Sequence, residues 1–484
     1  MKGKNALIKL FQFLAIISLY FITEKNSLFL YVTTLSLYNI YLSCFSHITI
    51  KDTLKKIKYN YSKFKILKYT ALSIVAVCLL FIITSILISD TINIFLSIEK
   101  TFIPYLVMSI SIFTEPLIKV FLEYLESYNK PKLSNRLLNT YYILEIIFLL
   151  LISILTLSVF KLPMHISISL LYTSKILSYI LVIIIIFLVL SKQNINFDKL
   201  PEEEDINCKK ETQEVLKNNS HNSVIELVKN SYYYISIIIL YLVLSTRYSY
   251  NIDLIENDIT FIYFFGLSTI NFIVDTIASF IKNIDKKTNI ISYILKVFQC
   301  MLTIAIILGI TSPLVCKIIF NDSSNSIYLA MLIFLSIFIS LFNITFENIK
   351  NKKIIYTSLI VGIISKIILI VPLINSFYRM GYNLIYGDII STIISMFISI
   401  IVNYIYLKNK NKKEKTFEKI MKILYESLLL CIILVILQFI VPIKSDNYFI
   451  SVLIFMVYIS VSIMFIKLKK KRGQYGKSLH FWTS

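Results

Sequence analysis

Apolar stretches of about 18 to 25 residues, the length a helix needs to cross roughly 30 Å of hydrocarbon, recur along the whole 484-residue chain. Lipid offers no partner to a backbone amide or carbonyl, so each stretch must satisfy its hydrogen bonds internally, as a helix. Hydrophobic residues make up 57% of the chain and charged residues 16%. That surplus is more than a globular core of this size can enclose, and the excess has to face lipid. The expected spans are 6–23, 27–47, 67–89, 102–125, 139–160, 166–191, 227–246, 259–281, 290–315, 325–346, 354–375, 386–407, 420–441 and 447–466. The fold class is therefore an all-α polytopic membrane protein of about fourteen transmembrane helices.

A net charge of +21 would suit nucleic acid only if it formed a patch on a folded surface. Here the cations sit in short connections, so nucleic acid is not an expected partner. Lysine and arginine fall on alternate connections, which is the positive-inside pattern. One side holds Lys51 to Lys65, then Lys130 to Arg136, Lys282 to Lys287, Lys350 to Lys353, Lys408 to Lys415 and the tail from Lys469 to Arg472. The opposite side includes the acidic loop of Asp253, Glu256 and Asp258. Both termini are thus expected in the cytosol. Lys2, Lys4 and Lys9 precede the first apolar run without a small-residue cleavage site, so that run reads as a retained helix. The six cysteines show no CxxC spacing and no disulfide framework.

The long polar insertion from Ser191 to Glu226 contains Pro201-Glu202-Glu203-Glu204-Asp205 and then a Lys- and Asn-rich tract. It reads as a disordered cytosolic linker. The organisation expected is a six-helix half (1–191), the linker (192–226), a second six-helix half (227–407), and a helix pair with a basic tail (408–484). Paired halves of this kind suit transporters that rock between two access states.

Ionisable residues inside the spans are the candidates for function, because one at a helix centre costs about 2.5 to 3.5 kcal/mol on insertion scales. Such residues should face a bundle interior or an aqueous cavity. The candidates for lining a substrate cavity are Glu115, Lys119, Glu145, Lys175, Asp275, Glu347 and Lys366, with Asn343. Lys296 and Glu347, close to span ends, can instead snorkel to the interface. Glu115 and Lys119 are spaced for a helical ion pair, acid first. Pro116 removes an amide and should kink the helix beside them. Lys175 and Lys366 lie near mid-membrane, where a cation suits an anionic group such as a pyrophosphate; pairing with Glu145 or Asp275 is the alternative.

The four histidines form no metal-ligand spacing, and no HExxH, Walker A or glycine-rich phosphate loop is present. No cofactor is expected, and no enzymatic activity.

Several short stretches resemble the Rft family of the multidrug/oligosaccharidyl-lipid/polysaccharide (MOP) exporter superfamily, to which MATE transporters and MurJ-like flippases also belong. Leu30-Tyr31-Val32-Thr33-Thr34-Leu35 is similar to that family's L-Y-x-T-T-L stretch. The run from Ser109 to Glu115-Pro116 resembles its apolar segment ending in Glu-Pro. Asn343-Ile344-Thr345-Phe346-Glu347 is similar to its N-G-x-x-E element without the glycine, and Gly381 to Asn403 shares a texture common in the superfamily. Asn39, Ser43 and Cys44 stand where the family carries arginines, Glu-x-Glu-Arg is missing near Ile239 to Leu242, and only Ala278-Ser279-Phe280 remains of Pro-Ile-Glu-Glu-Ser-Phe. The resemblance implies translocation of a polyprenyl (dolichyl) pyrophosphate-linked oligosaccharide for N-glycosylation, with membrane lipids as partners, in the endoplasmic reticulum membrane. Alternatives are a bacterial-type lipid II or polysaccharide flippase in a plasma membrane, an ion-coupled small-molecule exporter, and a structural subunit of a membrane complex.

Overall fold

A computed structural model describes residues 25–45, 48–57, 60–96, 102–128, 131–191, 210–217, 223–227, 290–320, 326–349, 351–410, 416–441 and 447–481, with a few positions between 11 and 19 and at 239. Among the described residues there is helix and no strand. The expected spans 227–246 and 259–281, and Asp275 with them, lie almost wholly outside this set. The chain divides into two compact units, Met1–Phe265 and Gly266–Ser484.

The first unit contains α1 (Lys25–Ser43), a short α2 (Lys51–Lys56), α3 (Asn60–Leu96), α4 (Phe102–Ser111), α5 (Thr114–Glu126), α6 (Pro131–Ser153) and α7 (Met164–Ser191). Among the described residues of this unit, four stretches are long and apolar enough to cross a membrane: Ser62–Leu87, Phe102–Glu126, Pro131–Val159 and Met164–Ser191. Each matches an expected span to within a few residues, apart from the N-terminal ends near 62 and 131. Ile118, Leu122 and Leu125 of α5 pack with Leu137 and Tyr141 of α6 and with Val182 and Ile186 of α7. Leu79, Leu80, Ile83 and Leu87 of α3 and Ile184, Phe187 and Leu188 of α7 stay exposed, as lipid-facing side chains should.

The span Phe102–Glu126 is interrupted at Ile112-Phe113, where the amides of Ile112 and Phe113 turn back to the carbonyls of Ser109 and Ile110. Pro116 accounts for the break. It has no amide for the carbonyl four residues earlier, that of Ile112, and its ring crowds that carbonyl. The irregularity expected beside Glu115 is present as an interruption of the helix, one turn ahead of the proline. In the polar stretch expected to lack regular structure, residues 210–217 and 223–227 are helical. Thr212, Ser223 and Ile225 are buried there, so local packing holds helix that composition alone does not suggest.

The second unit contains α8 (Ile290–Ile310), α9 (Ser312–Phe320), α10 (Ser326–Asn348), α11 (Lys352–Arg379), α12 (Ile385–Lys410), α13 (Thr416–Ile440) and α14 (Tyr448–Phe481). Its crossing stretches are Ser326–Thr345, Lys353–Arg379, Ile385–Leu407, Lys419–Ile440 and Phe449–Ile466. The expected single span 290–315 is instead a bent pair, Ile294–Ile310 and Ser312–Ile318, turning by 65°. Pro313 is the cause, since it cannot donate to the carbonyl of Gly309.

Helix α11 is capped by Asn351, whose side chain accepts from the Lys353 amide at 3.1 Å. It returns as α12 through a turn in which Gly381 adopts φ +73°, a left-handed conformation natural to glycine. Gly387 lets the start of α12 meet α11 closely, since a Cβ there would lie 2.6 Å from the Ile374 amide nitrogen. Leu430 and Leu434 of α13 and Tyr458 of α14 form a core with Leu314 of α9. Gln299 of α8 donates to Glu426 of α13 at 3.0 Å, and the Tyr458 hydroxyl donates to the Val441 carbonyl at 3.0 Å. The terminal pair therefore rests on the bent α8–α9 segment.

Candidate functional site

In the first unit, three of the expected ionisable residues converge. Glu145 is near the middle of α6 and Lys175 near the middle of the antiparallel α7, so their side chains meet between the helices. Lys175 forms an ion pair with Glu145. Its ammonium also lies over the Tyr38 ring of α1, 4.9 Å from the centroid, where the negative face of the ring attracts a cation. Glu115 of α5 completes the cluster: it lies within the field of Lys175 and Glu145, and the Tyr142 hydroxyl donates to its Oε1 at 3.5 Å. Lys119 interacts with Glu123 and with Glu115, one turn away.

Tyrosines enclose these charges. Tyr172 packs against both Tyr31 and Tyr38, with centroids 5.6 and 6.2 Å apart, and its hydroxyl donates to Thr34 Oγ1 at 2.9 Å. Tyr141 and Thr114 share a hydrogen bond at 3.2 Å. The pair itself is not sealed. The side chains of Lys175 and Glu145 keep 15% and 16% of their surface, and a charged pair left partly open at mid-span needs water rather than hydrocarbon beside it.

In the second unit the arrangement is closed. Lys366, midway along α11, is buried at 1% exposure, and its ammonium lies 3.7 Å from Asp388 Oδ1 in the first turn of α12. Both lysines thus lie beside a carboxylate, Lys175 beside Glu145 and Lys366 beside Asp388, while Asp275 lies outside the described residues. Asn343 is half-buried on α10, Glu347 lies in the last turn of that helix, and Lys296 is exposed on α8. Near Asn343, the buried Asn403 of α12 donates to Thr345 at 3.5 Å.

Sequence reasoning missed Asp388, the tyrosine shell and the Gln299–Glu426 link. Asp388 stood inside the expected span 386–407, and a short turn between antiparallel helices would have carried it back toward Lys366. Tyrosines read as ordinary apolar residues until a cation is seen against their faces.

Long apolar helices in each unit, broken by prolines and carrying charges at mid-span, define a multi-pass membrane protein. More particularly, the fold is similar to that of solved MOP-superfamily transporters. A structure of the lipid II flippase MurJ in an inward closed conformation matches with a TM-score of 0.65 at 15% identity, over 97% of this chain and 98% of that one. An outward-facing MATE multidrug resistance transporter of the MOP superfamily matches with a TM-score of 0.57 at 12% identity, over 85% and 96%. A MOP superfamily transporter from Pyrococcus furiosus matches with a TM-score of 0.55 at 13% identity, over 84% and 92%. No family model matches the sequence. No curated protein matches it either.

Proposed function

We propose that this chain translocates a polyprenyl-pyrophosphate-linked glycan across its membrane. The observation that carries the reading is the correspondence with a lipid II flippase over nearly the whole of both chains. The MATE transporter corresponds over 85% of this chain, a smaller share than the flippase. The partly open Lys175–Glu145 pair offers a polar site for the headgroup. The Rft-like stretches at Leu30 to Leu35 and at Glu115-Pro116 favour the dolichyl-linked oligosaccharide of N-glycosylation, and hence the endoplasmic reticulum. A bacterial-type lipid II substrate is the second reading, favoured by the MurJ likeness.

The test is reconstitution of the full chain in proteoliposomes with three substrates: a dolichyl-pyrophosphate-linked oligosaccharide, lipid II, and a cationic drug. Leaflet location is read by accessibility to an added glycosidase or quencher. Protein-dependent movement of the dolichyl substrate supports the reading, and movement of lipid II alone replaces it with the second. Movement of the drug without either lipid would overturn both.

A further inference from the structure

We infer that the segment from Ile48 to Ile57, which carries α2, is a releasable strap, fastened over the end of α5 by the carboxylates of Glu123 and Glu126. The strap belongs to the first unit alone and is independent of the substrate proposed above.

The sequence makes α2 too weak to stand by itself. It is a helix of six residues, and isolated helices shorter than about 12 to 15 residues are marginal in water. Its apolar grip is small: Ile48, Ile50 and Leu54 are buried, while Thr49 and Lys55 are exposed. What seats it on α5 is polar. The Glu123 carboxylate accepts from the Ile50 amide at 2.6 Å, and the Lys51 amide and the Thr49 hydroxyl donate to the same group. Hydrogen bonds to an ionised carboxylate are roughly twice as strong as neutral ones. One turn further on, Glu126 pairs with the Lys51 ammonium at 2.5 Å and accepts from Ser134 Oγ of α6 at 3.1 Å. The start of α3 is fixed to the same place. There the buried Lys63 donates to the Ser127 carbonyl at 3.5 Å and lies 5.1 Å from the centroid of the Tyr128 ring.

These fastenings differ in how easily they let go. Glu123 holds backbone amides, and Lys63 is enclosed. Lys51 keeps 41% of its side-chain surface and Glu126 13%, so salt screens the outer pair while sparing the inner bonds. The outer pair is therefore the release and Glu123 the anchor. Closed, the strap ties the α1–α3 connection to α5 and α6 at one end of the bundle and leaves the interruption at Ile112-Phe113 as the joint between α4 and α5. Open, it frees that connection from α5.

The experiment is hydrogen–deuterium exchange of the full chain in detergent, read by mass spectrometry in peptides covering 48–57 and, as a reference, 179–190 of α7. Glu123→Gln, which keeps the shape and removes the charge, should speed exchange at 48–57 roughly 10- to 100-fold and leave 179–190 unchanged. Raising salt from about 0.1 M to about 1 M should also speed exchange at 48–57 in the unaltered chain. In Lys51→Met/Glu126→Gln, which lacks the outer pair and strands no charge, exchange there should be fast at both salt concentrations. Unchanged exchange at 48–57 in Glu123→Gln, an equal rise in both peptides, or a salt response that survives in the double variant would each overturn the strap. None of these outcomes bears on the proposed function.

Discussion

Lys366 and Asp388 are sealed between α11 and α12, with 2% and 4% of their side-chain surfaces exposed. Removing one partner of such a pair strands the other, at a cost of about 3–5 kcal/mol, whereas removing both can be nearly neutral. Lys366→Met should therefore lower abundance and thermal stability sharply, and Lys366→Met/Asp388→Leu should recover most of the loss; fluorescence-detected size exclusion after heating measures both. A single variant no worse than the double would refute the pairing. Gly387 carries a second residue-scale expectation. A methyl group 2.6 Å from a backbone nitrogen forces the hairpin apart, so Gly387→Ala should cost about 1–3 kcal/mol, read as a lower melting temperature. The lysines were legible in the sequence because charge in an apolar run stands out. Gly387 was not, since the need for a glycine there arises from a helix 13 positions earlier in the chain.

Among elements, the broken span α4–α5 places Thr114 and Glu115 at the start of a new helix, directed toward α6. Pro116 falls in the first turn of α5, where a missing amide is tolerated, so its cost is the break it imposes on an otherwise continuous span, where the charges gather. Pro116→Ala should raise the melting temperature, let the span straighten, and lower the rate of lipid translocation in proteoliposomes. A variant that is both more stable and equally active would show that the break has no part in transport. The ends of the apolar helices were readable from hydropathy because lipid thickness sets them. The 65° turn after Ile310 was not read, although Thr311-Ser312-Pro313 announces it, because a continuous apolar run hides the one amide it lacks. The helical turns at 210–217 were missed for the opposite reason: their composition is polar, and the burial of Thr212 is not visible in composition.

At the level of the whole molecule, alternating cation-rich loops predict that both termini and the 191–226 stretch are cytosolic. A variant retaining Cys208 as its sole cysteine should react with an impermeant maleimide only after the membrane is opened to the cytosolic face, and Asn218 of the Asn218-Asn219-Ser220 sequon should carry no glycan. Labelling from the opposite face would invert the topology. The class of fold was legible because the solvent dictates it. The candidate site was legible only in part: Glu115, Glu145 and Lys175 do meet, but composition cannot say which acid a lysine will choose.

The sealed pair on α11 and α12 also bears on how the chain enters its membrane. Helix α11 alone presents an ammonium at its midpoint, where the penalty on insertion scales is about 2.5–3.5 kcal/mol, and Asp388 follows only after the turn at 380–384. The two helices should therefore leave the translocon as one electrically neutral hairpin. In a glycosylation-mapping assay, α11 by itself should insert poorly and α11 followed by α12 well, with Asp388→Leu returning the hairpin to poor insertion. The interval between synthesis of Lys366 and arrival of Asp388 then sets how long the nascent chain must wait at the lateral gate.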